Sequence, residues 1–153
     1  MKYYDYAIVF AEVPDEISLA LDITSCPHKC KNCHSPWLRE DAGEVLTKEA
    51  LRDLKDKNPG ITCICFMGGD SDLKGILEFS KWIHEELKLK TALYSGNDGF
   101  DSELLKELDY YKAGPYIEER GPLNNPNTNQ VMFKREGNNL IDITYKFQQK
   151  PFM

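Results

Sequence analysis

Cys26, Cys30 and Cys33 stand in a Cys-x3-Cys-x2-Cys arrangement near the start of the chain. Thiolates are soft ligands that suit iron–sulfur clusters or zinc. A four-iron cube closed by protein takes four ligands, and only three are grouped here. One iron would then stay open to something that is not protein. The two other cysteines, Cys63 and Cys65, alternate within an apolar run and share one face of a strand. They read as small buried hydrophobes.

The elements that must position the thiols follow from hydrophobic period and turn chemistry. The alternating run 17–24 leads into the cysteine group, so a strand delivers the thiols onto a loop. A first strand is expected around residues 6–12, with Val13-Pro14-Asp15-Glu16 as the turn between the two. Thr47 is an N-cap for a helix to Lys57, Leu46 can staple onto Leu51, and Asn58-Pro59-Gly60 stops it. A buried strand at 61–66 ends in Met67-Gly68-Gly69-Asp70. A second helix starts near Ser71, and its apolar stripe is Leu73, Ile76, Leu77, Ile83 and Leu87. A strand at 90–94 ends in Ser95-Gly96-Asn97, and Asp101 caps a short helix. A strand at 110–116 interrupted by Gly114-Pro115, a polar loop at 122–130 and a hairpin pairing 131–134 with 140–145 around a turn at Glu136-Gly137-Asn138-Asn139 complete the pattern.

Strands alternating with helices predict an α/β fold with a mostly parallel sheet. A closed eightfold barrel takes about 250 residues, more than the 153 present. The expectation is one domain over residues 1–153, an incomplete, laterally open parallel (βα) barrel with an added hairpin. In such folds ligands sit at the carboxyl ends of the strands. The cysteine loop, 67–70 and 95–97 would all lie there.

Composition narrows the function classes. At 41% hydrophobic and 29% charged residues the chain has the makeup of an ordered globular protein. A net charge of −6 argues against a general nucleic-acid binder. No stretch approaches the roughly 18 apolar residues of a membrane span, and the first residues lack the apolar core of a signal peptide. These features predict a cytoplasmic protein. Five cysteines, three of them bunched, suit metal or redox chemistry better than a disulfide framework.

The segment Cys26-Pro27-His28-Lys29-Cys30-Lys31-Asn32-Cys33, just after an early strand, resembles the cluster loop of the radical S-adenosylmethionine superfamily. His34-Ser35-Pro36-Trp37, Gly114-Pro115-Tyr116-Ile117-Glu118 and Asn129-Gln130 are similar to segments of the activating proteins of anaerobic ribonucleotide reductases. The resemblance covers nearly the whole chain and implies a barrel of the radical S-adenosylmethionine type. It implies that Cys26, Cys30 and Cys33 hold a [4Fe–4S] cluster whose open iron chelates S-adenosylmethionine. Reductive cleavage would give methionine and a 5′-deoxyadenosyl radical, which takes a hydrogen atom from a glycine of the partner and leaves a glycyl radical. The implied partners are the glycyl-radical subunit of anaerobic ribonucleoside-triphosphate reductase and reduced flavodoxin or ferredoxin as electron donor. Neither nucleic acid nor membrane enters. The cofactors carry the chemistry, so no catalytic residue beyond the cluster ligands is required.

The resemblance also implies cofactor contacts, each beside a plainer reading. Met67-Gly68-Gly69-Asp70 stands where the superfamily carries a Gly-Gly-Glu-Pro-like turn, whose glycines let backbone carbonyls approach the methionine ammonium. Here the proline is missing and Asp replaces Glu. The same residues also read as a tight strand-to-helix turn, with Asp70 or Ser71 as N-cap. Ser95 and Asn97 either bond the methionine carboxylate or ribose or are simple turn residues. Asn32 either bonds the adenine edge or closes the loop. Asn129 and Gln130 either face the active-site mouth or partner, or belong to a polar turn. Trp37 reads as a packing anchor, and His28 as a neighbour of the cluster or an exposed group.

Three rival readings remain. Cys26, Cys30, Cys33 and His34 could close a tetrahedral zinc site in an interaction module. Within radical chemistry, the partner could be a pyruvate formate-lyase-like enzyme, or the substrate a small molecule, as in a compact deazaguanine synthase. A docked protein seals an open mouth from water better than a small substrate does, which favours a protein partner.

Overall fold

A computed structural model describes residues 1–24, 43–99 and 102–148. Among these, eight strands form one mixed sheet: β1 (Lys2–Val9), β2 (Ser18–Ile23), β3 (Glu44–Val45), β4 (Cys63–Met67), β5 (Lys90–Tyr94), β6 (Tyr110–Ala113), β7 (Val131–Glu136) and β8 (Asn139–Asp142). Their order is β3-β1-β2-β4-β5-β6-β7-β8. Three short helices, α1 (Lys48–Lys57), α2 (Leu73–Trp82) and α3 (Ser102–Glu107), contribute to the same apolar core.

This corrects the expected fold. The chain does not form an incomplete, laterally open parallel (βα) barrel. Only β2, β4, β5 and β6 run parallel. On one side β1 is antiparallel to both β2 and β3, and on the other β6, β7 and β8 alternate in direction. The physical reason lies in the connections. Parallel neighbours need a crossover of a dozen or more residues, whereas short returns reverse the chain. The turn at residues 10–17, where Glu16 N donates to Val13 O, reverses β1 into β2. The return from β6, residues 114–130, is long enough for a crossover but carries no helix to cover a face of the sheet, and it reverses the chain into β7.

Local chemistry explains the helices. Thr47 has extended backbone angles and its hydroxyl accepts from Ala50 N at 3.0 Å, a cap worth about 1 kcal/mol. Leu46, Leu51 and Leu54 are buried on one stripe, each such side chain contributing roughly 1.5–3 kcal/mol. The Asn58 side chain closes the far end on Leu54 O at 2.8 Å. The cap of α2 is Asp72, which accepts from Gly75 N at 3.0 Å, rather than Asp70 or Ser71. The helix then widens into a π turn, Ile83–Leu87. The first strand lies at Lys2–Val9, upstream of the expected 6–12, and the strand expected at 110–116 ends at Ala113, before Gly114 and Pro115.

The two faces of the sheet differ in kind. Leu19, Leu21, Ile23, Ile64, Phe66 and Leu93 pack against the helices. The opposite face is floored by small side chains, Ala20, Cys63, Cys65 and Ala92, among residues of a second cluster. Irregular segments cover that face through Val13, Leu123 and Ile143.

Candidate functional site

Residues at the carboxyl ends of the parallel strands are in register on the small-residue face. Asp22 of β2 pairs with Met67, Met67 with Tyr94, Tyr94 with Lys112, and Lys112 with Met132 of β7. One row of side chains therefore runs across the sheet above the floor. Asp22 is half-buried, and burial followed by the Asp5 charge raises its carboxyl pKa. The Tyr94 hydroxyl donates to Glu12 O, and burial raises its pKa. Met67, Tyr94, Lys112, Leu123, Gln130 and Phe147 help line a cavity of about 460 Å³.

Beside this row the strand-end loops are tied together. The Asp70 carboxylate accepts from Ser95 Oγ at 2.6 Å and from Gly96 N at 2.8 Å. Ser95 Oγ in turn accepts from Asn97 N at 3.0 Å. Gly114 N donates to Asn97 O at 2.8 Å. From the buried side, Lys112 Nζ donates to Ser95 O at 2.8 Å and to Gly114 O at 2.9 Å. Gly68 and Gly69 hold φ of +97° and +116°, a region that side chains disfavour. A Cβ on Gly69 would meet Ile76 Cδ1 at 2.8 Å, and one on Gly68 would lie 3.3 Å from Ile23 O. Absence of side chains here thus serves the turn and its packing on β2.

The expected site residues divide into groups. Gly68, Gly69, Asp70, Ser95 and Asn97 share the carboxyl edge. Ser95 is almost fully buried and its hydroxyl is engaged at both ends. Asn97 lines a separate cavity of about 350 Å³ near Leu104 and Tyr111. Asn129 braces the other motif of its resemblance: its Nδ2 donates to Pro115 O at 3.0 Å, while its Oδ1 is buried with no partner among the described residues. Gln130 is buried and lines the larger cavity. Cys26, Cys30, Cys33, Asn32, His28, His34, Trp37 and Asp101 lie outside the described residues. Thr24, the last described residue before the cysteines, follows β2 at this same edge.

Sequence reasoning missed Asp22, Met67, Tyr94 and Lys112 as one row. A signal was present: Asp22 and Lys112 are charged residues inside otherwise apolar strands, Ser18–Ile23 and Tyr110–Ala113. Such residues are seldom buried without a reason. Their mutual register depends on strand order, which a single strand does not encode.

Compared with known protein families, residues 17–132 match the model described as a 4Fe-4S single cluster domain. The chain belongs to that family. The match spans all three grouped cysteines, and such a 4Fe-4S single cluster domain is found in radical S-adenosylmethionine-type proteins. Neither a curated protein nor a solved structure matches the chain. The donor chemistry fits a cluster, since thiolates bind iron and sulfide clusters readily. Cys63 and Cys65 are unfit as further ligands. Both are buried, and burial pushes the Cys63 thiol up to about 12 and Cys65 well above its usual range. A protonated thiol in an apolar floor is inert. Among the described residues no group of three His, Cys, Asp or Glu side chains could hold a metal ion, and no helix is long and apolar enough to cross a membrane.

Proposed function

We propose that this 4Fe-4S single cluster domain is a radical S-adenosylmethionine activase, which installs a glycyl radical on anaerobic ribonucleoside-triphosphate reductase in the cytoplasm. The observation that carries the reading is the number of thiols: a single-cluster domain with three grouped cysteines, not four. When bound and reduced by flavodoxin or ferredoxin, the cluster supplies one electron that splits S-adenosylmethionine into methionine and a 5′-deoxyadenosyl radical, which takes the glycine hydrogen atom of the partner.

The chain's own residues bind, orient and shield. Cys26, Cys30 and Cys33 hold the cluster. Backbone carbonyls at Gly68 and Gly69 would receive the ammonium of the ligand, and Asn97 and Asn32 would offer amides to its polar edges. The cavity walled by Met67, Leu123 and Phe147 excludes water where the partner's glycine enters, with Gln130 at its side and Asn129 holding the adjoining Gly114-Pro115 turn.

The test is anaerobic reconstitution with iron and sulfide, reduction, and EPR with and without S-adenosylmethionine. A [4Fe–4S]⁺ signal that shifts on adding the ligand supports an open iron, and a glycyl radical on the added reductase completes the assignment. A radical formed instead on a pyruvate formate-lyase-like partner would redirect it to another activase. Tight zinc with no cluster would leave a zinc-stabilised binding domain.

A further inference from the structure

Asp70 is the first acidic residue after β4, ahead of the α2 cap Asp72, and the direction of its carboxylate decides what it can do. A carboxylate that met a ligand ammonium would need its oxygens turned toward the ligand. Instead both oxygens are engaged by the neighbouring loop, Oδ1 by Ser95 Oγ at 2.6 Å and Oδ2 by Gly96 N at 2.8 Å. Ser95 is itself fixed from below by Lys112, whose ammonium also reaches Gly114 O. The loop 95–97 is therefore held from two sides. Asp70 grips its hydroxyl and amide from the β4 end, and Lys112 grips its carbonyl from β6. Asn97 is the next link, with its amide on Ser95 Oγ and its carbonyl on Gly114 N.

We propose that Asp70 is a positioning residue that sets the Ser95–Gly96–Asn97 backbone, so that its influence on S-adenosylmethionine binding passes through that loop and not through direct contact. This inference rests on the S-adenosylmethionine reading above. The chemistry of the side chain separates the two roles. Asparagine at position 70 has the same length. Its oxygen can accept from Gly96 N while its amide donates to Ser95 Oγ, a hydroxyl that accepts as well as donates. Glutamate keeps the charge but adds a methylene, which carries the carboxylate past a partner now at 2.6 Å. A brace tolerates Asp70→Asn and fails with Asp70→Glu. A direct ammonium contact does the reverse, because it depends on charge more than on length.

Two measurements on the full chain decide this. The first is hydrogen exchange at the Gly96 and Asn97 amides of the protein without cofactor, for wild type, Asp70→Asn, Asp70→Glu and Asp70→Ala. The second is equilibrium binding of S-adenosylmethionine to the reconstituted cluster protein. Expected are wild-type protection and affinity within about threefold for Asp70→Asn, against lost protection and about tenfold weaker binding for Asp70→Glu and Asp70→Ala. The inference is overturned if Asp70→Glu binds as wild type while Asp70→Asn is the weak one, or if Gly96 protection is the same in all four. Should Asp70→Ala fail to fold, the Asn and Glu pair still decides. If wild type binds no S-adenosylmethionine but the exchange order holds, the brace stands and the cofactor reading falls.

Discussion

The two ends of the central parallel strands are both polar, yet they use polarity differently. At the amino ends, charged side chains pair with other side chains, beside bonds to backbone such as Thr91 N to Asp109 Oδ2 at 2.9 Å. Glu16, buried, accepts from Lys90 Nζ at 3.1 Å and from Tyr110 OH at 3.0 Å. His84 Nε2 lies 2.8 Å from Asp109 Oδ2, and its Nδ1 lies 3.6 Å from Glu107 Oε2. At the carboxyl ends, side chains hold backbone: Asp70 takes the Gly96 amide, and Lys112 takes the carbonyls of Ser95 and Gly114. Charge pairing ties strands together and responds to pH. Backbone clamping fixes where loop atoms sit and responds to shape. The first arrangement suits a support and the second suits a place where a ligand must be met by backbone.

The largest effect that sharpens this contrast comes from the thiols. Cys30→Ala is expected to abolish cluster assembly, read as lost iron content and lost EPR signal after reconstitution. Thermal unfolding of the cluster-free variant should match that of the cluster-free wild type. A variant that still assembles a four-iron cluster would remove Cys30 from the ligand set. Next come two breaks of the carboxyl edge. Gly69→Ala places a methyl 2.8 Å from the buried Ile76 at φ +116°, a strain of about 1–3 kcal/mol. Gly60→Ala, with nothing within 4 Å, is its neutral control in urea unfolding. Lys112→Met keeps the apolar stem but leaves two buried-side carbonyls without their cation, costing about 1–3 kcal/mol in the same measurement. Equal stability of Lys112→Met and wild type would mean that the loops hold themselves.

Local chemistry was readable where one short stretch decides the outcome. The Thr47 cap, the strand Lys90–Tyr94 and the hairpin return between Glu136 and Asn139 stand where period and turn residues placed them. What escaped was direction. Whether a strand runs parallel to its neighbour depends on the connection between them, and a polar loop at 122–130 does not by itself reveal that the helix-free return from Ala113 to Val131 makes β7 antiparallel. The same limit applies to the site. Gly68–Asp70 and Ser95–Asn97 could be assigned to strand ends from sequence. That Asp70 turns toward Ser95, or that Lys112 rises beneath both loops, depends on contacts between residues 17 to 26 positions apart, and such contacts leave no trace in a single segment's pattern.

The smallest expected effect tests the amino end. The hydrogen bond to Asp109, its charge and that of Glu107 raise the His84 pKa, against the opposing pull of burial. Burial is the largest single influence on Asp109 and acts to raise it. The bonds from His84 and Thr91 N, with the charges of His84 and Lys90, together outweigh burial and leave the carboxyl below its ordinary range. Lys90 also acts on Asp109, and Arg135 closes the same corner on Leu108 O at 2.9 Å. The sign for His84 follows from its raised folded value. Its contribution is complete below the ordinary histidine range near 6.5 and fades as pH rises through the raised value. Asp109 works oppositely: its contribution holds above the ordinary carboxylate range and is lost as pH falls through its lowered value. His84→Gln retains a donor toward Asp109 but no charge. Because the pair is about one-third exposed, the stability gap between wild type and His84→Gln should be no more than about 1 kcal/mol. Unfolding measured from about pH 5 to about pH 9 should show that gap widest at the acid end and closing toward the alkaline end. A gap that stays flat across the range would mean that His84 titrates alike in the folded and unfolded chain, so that its charge adds nothing and its place at the amino end is held by hydrogen bonds.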